Sequence, residues 1–166
     1  MDCQLITAIN AAAFLGLPTL SPYFNRDAYR DWMNYTRTSY KYHEDDIHLG
    51  RFAKFLEFLR LKAVPVNGDL GEIRKQLKLG YPVELMLKFS EHQNEGSHST
   101  LVVDLDHDKV RCANLFDCRD GWTSWVRLWE MMAHYANAYT NGKPVAYSYR
   151  PTGMVLTSVK RRRRRS

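Results

Sequence analysis

The chain has 166 residues, of which 45% are hydrophobic and 13% aromatic, and its formal net charge at pH 7 is +6. This length suits one domain with one core, and the apolar content excludes an intrinsically disordered chain. No apolar run approaches the ~20 residues of a membrane-spanning helix, and the first residues lack the features of a signal peptide. Three cysteines, an odd and low number, favour a cytoplasmic or otherwise intracellular, reducing compartment.

The net positive charge comes from one short segment at the end of the sequence. It supplies six of the 24 basic side chains, so the other 18 match the 18 acidic ones. The basic residues of this segment are Lys160, Arg161, Arg162, Arg163, Arg164 and Arg165. Because like charges repel, we expect a disordered basic tail at 159–166 after a single domain at 1–158. The tail favours non-specific contact with nucleic acid or another polyanion, with nuclear import, an acidic lipid surface or solubility as alternatives.

The first predicted element is a helix from Cys3 to Leu15, which Gly16 and Pro18 end. The helix is apolar on nearly every face, which predicts that it is buried. Asp2 is a good helix N-cap, so Cys3 falls in the first turn. A thiol at that position feels the positive end of the helix dipole, which favours the nucleophilic thiolate.

The rest of the chain divides into a helical part and a strand-rich part. Helical spacing predicts an amphipathic helix near Asp27–Tyr40, a helix over His48–Leu61 and a short helix over Asp69–Leu79. The predicted strands are Pro82–Phe89, His98–Leu105, Val110–Leu115, Val145–Tyr149 and Met154–Leu156, with a loop at Gly121–Ser124 and a helix at Trp125–Ala138. Helices followed by antiparallel strands predict an α+β fold.

The strand predicted over Pro82–Phe89 shows an alternating pattern. Its apolar residues (Val83, Leu85, Leu87 and Phe89) are predicted to face inward. Glu84 and Lys88, on the opposite face, are predicted to point outward into solvent.

Cys3, His98 and Asn114 together have the residue types that a thiol peptidase uses. Such an enzyme needs a thiolate, a base beside it and a group that fixes the imidazole tautomer. His98 begins a strand after a polar loop, and Asn114 lies in the next strand of a hairpin. With the turn near residue 107, His98 and Asn114 lie nearly opposite each other, which predicts a hydrogen bond between them.

These segments resemble the double-glycine leader peptidases, the papain-like cysteine peptidase domains of bacteriocin-type transporters. The likeness is carried by Asp2-Cys3, the Gly80-Tyr81-Pro82-Val83 step, the strand beginning at His98, and Asn114-Leu115-Phe116-Asp117. It implies a papain-like fold in which a buried Cys-bearing helix, part of an N-terminal helical half, packs on a C-terminal antiparallel sheet. It also implies Cys3 as nucleophile, His98 as general base and acid, and Asn114 as orienting residue, with Asp117 as the alternative third member.

The sequence departs from that family around the nucleophile. Gln4 and Leu5 stand where the family has Gly-Pro, and the glutamine that precedes the family's cysteine and helps to bind the oxyanion has no counterpart here. The Cys3 backbone N–H remains as one oxyanion donor, and the candidates for the second are Gln4, Asn10 or a residue of the segment 19–66.

Two functions follow as expectations. The first is a cysteine peptidase or amidase that acts on a peptide or protein substrate through an acyl-enzyme, with acyl transfer to an amine as a close variant; joined to a basic tail, this would suit a viral maturation enzyme associated with the virion. The second is an inactive papain-like adaptor that holds nucleic acid through its tail. A zinc site from Cys112, Cys118, His98, His107 and Asp117 is a weaker alternative, because Cys-x5-Cys matches no common zinc spacing. No cofactor and no metal is expected, and the sequence does not predict an oligomeric state.

Overall fold

The computed structural model describes residues 2–17, 53, 55–57, 59–92, 96–115 and 119–152. Its helices are α1 (Asp2–Phe14), α2 (Leu70–Lys78) and α3 (Trp125–Tyr139), and residues 53, 55–57 and 59 are also helical. Its strands are β1 (Leu61–Val66), β2 (Val83–Lys88), β3 (Ser97–Asp106), β4 (Lys109–Ala113), β5 (Trp122–Ser124) and β6 (Ala146–Pro151), with a 3-10 turn at Arg119–Gly121.

The six strands form one antiparallel sheet in the order β1-β6-β2-β3-β4-β5, so the predicted α+β class is confirmed. Consecutive residues of a strand face opposite sides of a sheet. Leu101 packs with Ala8 of α1, whereas its neighbour Val102 packs with Leu128 of α3. Helices therefore cover both faces of the sheet, with α1 on one side and α2 and α3 on the other.

This double coverage corrects the prediction for β2. Val83, Leu85 and Leu87 are buried as expected, whereas Phe89, also predicted to face inward, follows the end of the strand and is 40% exposed. Glu84 and Lys88 are buried too, with exposures of 0% and 2%. The outward orientation predicted for both charged residues was wrong. Glu84 accepts a hydrogen bond from Ser99, which in turn contacts Thr7 of α1, and Lys88 Nζ donates to the main-chain carbonyl oxygens of Ser90 and His92.

Two strands were not predicted. Leu61, assigned to the end of a helix, begins β1, and the predicted loop at Gly121–Ser124 contains β5. β1 contains Pro65, yet it lies at the edge of the sheet, where a missing backbone N–H is tolerated. Since β1 lies in the first half of the 166-residue chain, the sheet is not confined to the C-terminal half.

Other local predictions agree with the structure. α1 ends at Phe14, and Gly16 takes the left-handed conformation (φ 66°) that ends many helices. Asp69 caps α2 by accepting a hydrogen bond from the Glu72 N–H at 2.8 Å. The β3–β4 hairpin turns at His107 and Asp108, as predicted.

Several predictions fall outside the described residues. These are the helix near 27–40, the strand at 154–156, the residues Asp117 and Cys118, and the basic tail. Among the helices that the structure describes, none combines the length and the apolarity that crossing a membrane requires.

Candidate active site

Cys3 lies in the first turn of α1, at the N-terminal end of the helix. Farther along α1, Ala8, Ala11 and Ala12 are fully buried against the sheet, so the helix is held by its small apolar residues. Cys3 itself is half-buried. The first four N–H groups of an α-helix have no partner within the helix, so the Cys3 N–H is one of the donors at this helix end.

His98 lies in β3 one residue after the strand begins, and it is 7% exposed. Its Nε2 is 2.7 Å from the backbone carbonyl oxygen of Asn114. Because a carbonyl oxygen only accepts hydrogen bonds, Nε2 carries a proton and donates it. Nδ1 is then the ring nitrogen left to interact with the thiol of Cys3.

Asn114 contacts His98 through its main chain. The residue follows β4 directly and has a φ of 64°, in the left-handed region that asparagine tolerates better than most residues. This conformation turns the chain away from the strand at the point where the Asn114 carbonyl meets the imidazole. Sequence reasoning placed His98 and Asn114 together but did not identify which atoms of Asn114 take part.

Cys3 and His98 form a hydrogen bond that links α1 to β3. The His98 contact lowers the pKa of the Cys3 thiol from 9.0 to about 7, against the opposing effect of burial, and the Ser99 backbone lowers it further. The contact with Cys3 raises the pKa of His98, again against burial, and the Asn114 carbonyl adds to the rise. Both shifts favour a thiolate beside an imidazolium, the reactive form of a thiol nucleophile.

A chain of buried hydroxyl and carboxyl groups lies next to this pair. Thr7 Oγ1, one helical turn after Cys3, is 2.8 Å from Ser99 Oγ. Ser99 Oγ donates to Glu84 Oε2 at 2.7 Å. All three residues have an exposure of 0%. The chain therefore connects α1, β3 and β2 close to Cys3 and His98.

Thr7, Ser99 and Glu84 were not identified from the sequence. Ser99 follows His98 directly, and Thr7 lies one helical turn after Cys3, so their spacing contains a weak signal. Glu84 was assigned to solvent because it alternates with apolar residues. Only the packing of α1 on the sheet brings the three side chains together.

Gln4, the remaining predicted site residue that the structure describes, and Phe89 have separate contacts. The Gln4 side-chain amide donates to Met86 Sδ at 3.8 Å, a contact that holds it against β2. The ring of Phe89 lies 5.7 Å from that of His98 and is 40% exposed, so it forms an apolar wall beside the imidazole.

The residues considered for a zinc site lie far apart where they are described. His98 lies at the start of β3, whereas His107 lies in the turn after its other end, with Nδ1 2.8 Å from Asp106 Oδ1. Cys112 is buried in the core under α3. Within the described ranges, no three His, Cys, Asp or Glu side chains are grouped to hold a metal ion.

Comparison with known proteins gives one similar solved structure. No protein-family model and no curated protein matches the sequence. A solved chain from Bacillus anthracis, described as a candidate C39-like peptidase, is 17% identical and gives a TM-score of 0.42. The match covers 62% of this chain and 60% of that chain, so this protein spans less than two thirds of that chain's length.

Proposed function

We propose that the protein is a cysteine peptidase or amidase in which Cys3 is the nucleophile and His98 the general base and acid. The observation that carries the proposal is the hydrogen bond between these two side chains at the first turn of α1. A thiol that served only as a small core residue would have no need of a base held beside it by a second hydrogen bond. The proposal includes a single papain-like domain over residues 1–158.

The reaction follows from the order of the contacts. His98 takes the Cys3 proton at Nδ1, and the thiolate attacks the carbonyl carbon of an amide bond. The negative charge on the carbonyl oxygen is stabilised by the Cys3 N–H at the helix end. The imidazolium then gives its proton to the leaving nitrogen as the C–N bond breaks. Water, deprotonated by His98, attacks the resulting thioester and releases the acid and the free thiol.

Asn114 is the proposed orienting residue. By accepting a hydrogen bond from Nε2 at 2.7 Å, its carbonyl holds the tautomer in which Nδ1 is the basic nitrogen. A carbonyl oxygen also stabilises the imidazolium that forms during the reaction. Asp117, the alternative third member, lies outside the described residues.

The first test measures the thiol directly and needs no substrate. The protein is alkylated with iodoacetamide between pH 4 and 9, and modification of Cys3, Cys112 and Cys118 is followed by peptide mapping. We expect the Cys3 rate to rise with a midpoint near pH 7, because the His98 contact lowers the pKa of the thiol to about 7. Cys112, 5% exposed, is the internal control and should react slowly until the protein unfolds.

His98→Ala is the decisive variant in this test. Without the imidazole, the midpoint of Cys3 should move towards the ~8.5 of an ordinary thiol, and the rate at pH 6 should fall more than tenfold. If Cys3 in the folded wild-type protein reacts only near pH 8.5, or if His98→Ala leaves its profile unchanged, the peptidase proposal is wrong.

An inactive papain-like adaptor is the second candidate function. The observation in its favour is that the side-chain amide of Gln4, the predicted second oxyanion donor, donates to Met86 Sδ at 3.8 Å and is thus engaged with β2. Loss of one oxyanion donor costs about 3 kcal/mol of transition-state stabilisation in well-studied proteases. An adaptor would show an ordinary Cys3 thiol in the alkylation test.

For the basic tail we propose contact with a polyanion under either function. Deleting residues 159–166 should abolish retention on a DNA or heparin matrix and leave Cys3 alkylation unchanged. In the full chain, log Kd for DNA should vary steeply with log salt, because the six basic side chains release counterions on binding. Retention that survives the deletion would place the polyanion contact on the folded domain instead.

A further inference from the structure

We propose that Glu84 is a positioning residue for the Cys3–His98 pair, acting through the hydroxyl groups of Ser99 and Thr7. The inference rests on the proposed function, because it concerns how the same thiol and imidazole are held together. It assigns a role to a buried acidic residue that the reaction steps do not use.

Ser99 connects Glu84 on β2 with Thr7 on α1. Its backbone contacts the Cys3 sulfur, and it is the direct neighbour of His98 in β3. Its hydroxyl donates to Glu84 Oε2 at 2.7 Å, so the same oxygen is left to accept a hydrogen bond from Thr7 Oγ1 at 2.8 Å. A hydroxyl has one proton to donate, and the Glu84 oxygen therefore fixes the direction of both hydrogen bonds.

Thr7 completes the link to the nucleophile. It lies four residues after Cys3 on α1, on the same side of the helix. The single proton of the Thr7 hydroxyl goes to Ser99 Oγ at 2.8 Å, and the Ser99 carbonyl oxygen at 3.3 Å is a weaker second acceptor of that same proton. This donation ties α1 to β3 at the level of the site. Farther along the helix, α1 contacts the sheet through small apolar side chains, so the directed hydrogen bonds lie at the end of α1 that carries Cys3.

The surroundings of Glu84 explain why its charge state matters. It is fully buried on β2, and burial is the main cause that raises its pKa from 4.5 to about 7, against the lowering effect of the Ser99 hydroxyl. A protonated Glu84 gives the site no second negative charge, whereas an ionised one would oppose the Cys3 thiolate, whose charge raises the Glu84 pKa in turn. Neutral Glu84 can thus accept from Ser99 without weakening the thiolate.

The titratable groups that face Glu84 come from each element around it. They are Cys3 on α1, Tyr149 and its neighbour Tyr147 on β6, and Tyr135 on α3. Burial raises the pKa of the Tyr149 phenol, so it stays neutral beside Glu84. Glu84 Oε1 and the Tyr149 hydroxyl are buried, and neither has a hydrogen-bond partner of good geometry among the described residues. Cys3 and its partner His98 on β3 are therefore the groups near Glu84 whose charges change close to neutral pH.

The experiment compares Cys3 alkylation with iodoacetamide in the full chain across pH 4 to 9 for Glu84→Gln, Glu84→Leu and Thr7→Val. Glu84→Gln keeps an oxygen for Ser99 and removes the ionisable group, so the midpoint of Cys3 should move to lower pH. Glu84→Leu removes the acceptor, so the midpoint should rise by about one pH unit and the rate at pH 6 should fall about tenfold. Thr7→Val keeps the shape of the side chain and removes its donor, so it should shift the midpoint in the same direction as Glu84→Leu.

Gln76→Met is the matched control, since Gln76 is a buried polar residue (3% exposed) on α2, hydrogen-bonded to Glu72 and Arg150. It should leave the Cys3 profile unchanged. Profiles of Glu84→Gln and Thr7→Val that match the wild type would overturn the positioning role, even where Glu84→Leu fails to fold. This result is distinct from failure of the proposed function, which is shown by a wild-type Cys3 that reacts only near pH 8.5 or by a His98→Ala variant whose Cys3 profile is unchanged.

Discussion

His98 contacts the main-chain carbonyl of Asn114. This site therefore differs from one in which a side-chain amide orients the imidazole. The Nε2 proton goes to the Asn114 carbonyl at 2.7 Å, and the backbone there has a φ of 64°. Substitutions at this position therefore act through the conformation of the backbone as well as through the side chain.

We expect Asn114→Gly to keep the low-pH reactivity of Cys3, because glycine adopts positive φ without strain and retains the carbonyl. Asn114→Ala should lower the stability by about 1 kcal/mol through strain in the left-handed region. Alkylation profiles and urea unfolding of both variants measure the two effects. Loss of the low-pH reactivity in Asn114→Gly would mean that the side-chain amide is the orienting group.

Nucleophile identity is tested by a matched pair of thiol substitutions. Cys3→Ala should abolish amide hydrolysis of any substrate that the wild type cleaves, and should change the melting temperature little, because Cys3 is only half-buried. Cys112→Ala should do the opposite, since Cys112 lies in the core cluster under α3. Turnover and thermal melts of both variants check this; unfolding of Cys3→Ala would identify Cys3 as a core residue.

At the level of helices and strands, the sequence predicted the features that neighbouring residues determine, namely the ends of helices and the hairpin turn. Asp69 and Gly80 bound α2 as expected, and the β3–β4 hairpin turns where the Asp-His-Asp-Lys stretch predicted it. The burial of Glu84 and Lys88 was not predictable in this way. A strand's own alternation shows which residues share a face, but not whether another element covers the polar face.

In the candidate site, too, the sequence predicted the local features and missed those that depend on packing. A cysteine at a helix start and a histidine at a strand start are local features, and they were found. The hydroxyls of Thr7 and Ser99 acquire a role only when α1 packs on β3, a contact between residues 92 positions apart. The short strand β5 and the proline-containing β1 also depend on partners distant in sequence, which is why β5 was taken for a loop and Leu61 of β1 for the end of a helix.

The Asp69 cap gives a prediction at this scale. Asp69→Ala removes the acceptor of the Glu72 N–H at 2.8 Å and should lower the free energy of unfolding by about 1 kcal/mol. α2 packs against the face of the sheet that carries Val83, so the Cys3 alkylation profile should not change. Urea denaturation gives the stability; a shifted Cys3 profile in the folded variant would contradict the separation of α2 from the site.

For the whole molecule, the buried carboxyl of Glu84 makes the stability depend on pH. Its pKa is about 7 in the folded protein against 4.5 for an ordinary glutamate, so between these values the folded state holds more protons than the unfolded state. The stability that Glu84 contributes is therefore complete below pH 4.5 and is lost as the pH rises through 7. The shift corresponds to about 3 kcal/mol.

Glu84→Gln should remove this dependence. Comparing the free energy of unfolding at pH 5 and pH 8, we expect the wild type to lose more stability than the variant over this interval, by up to about 3 kcal/mol. Gln76→Met, which changes a buried polar residue that does not titrate, should keep the wild-type dependence. Equal pH dependence in the wild type and Glu84→Gln would show that Glu84 is ionised in the folded protein at acidic pH.

The distance in sequence between α1 and β3 also bears on when the thiol becomes reactive. Thr7 and Ser99 meet across 92 residues, and between them the chain must form β2, which pairs with β3. Contacts of such long range form slowly, because the entropy of closing the loop is lost before the contact stabilises anything. Until these contacts form, Cys3 is an ordinary thiol that is protonated at neutral pH. Reactivity of Cys3 at acidic pH should therefore appear only when α1 docks on the sheet. Alkylation at intervals after dilution from urea would follow this step of folding.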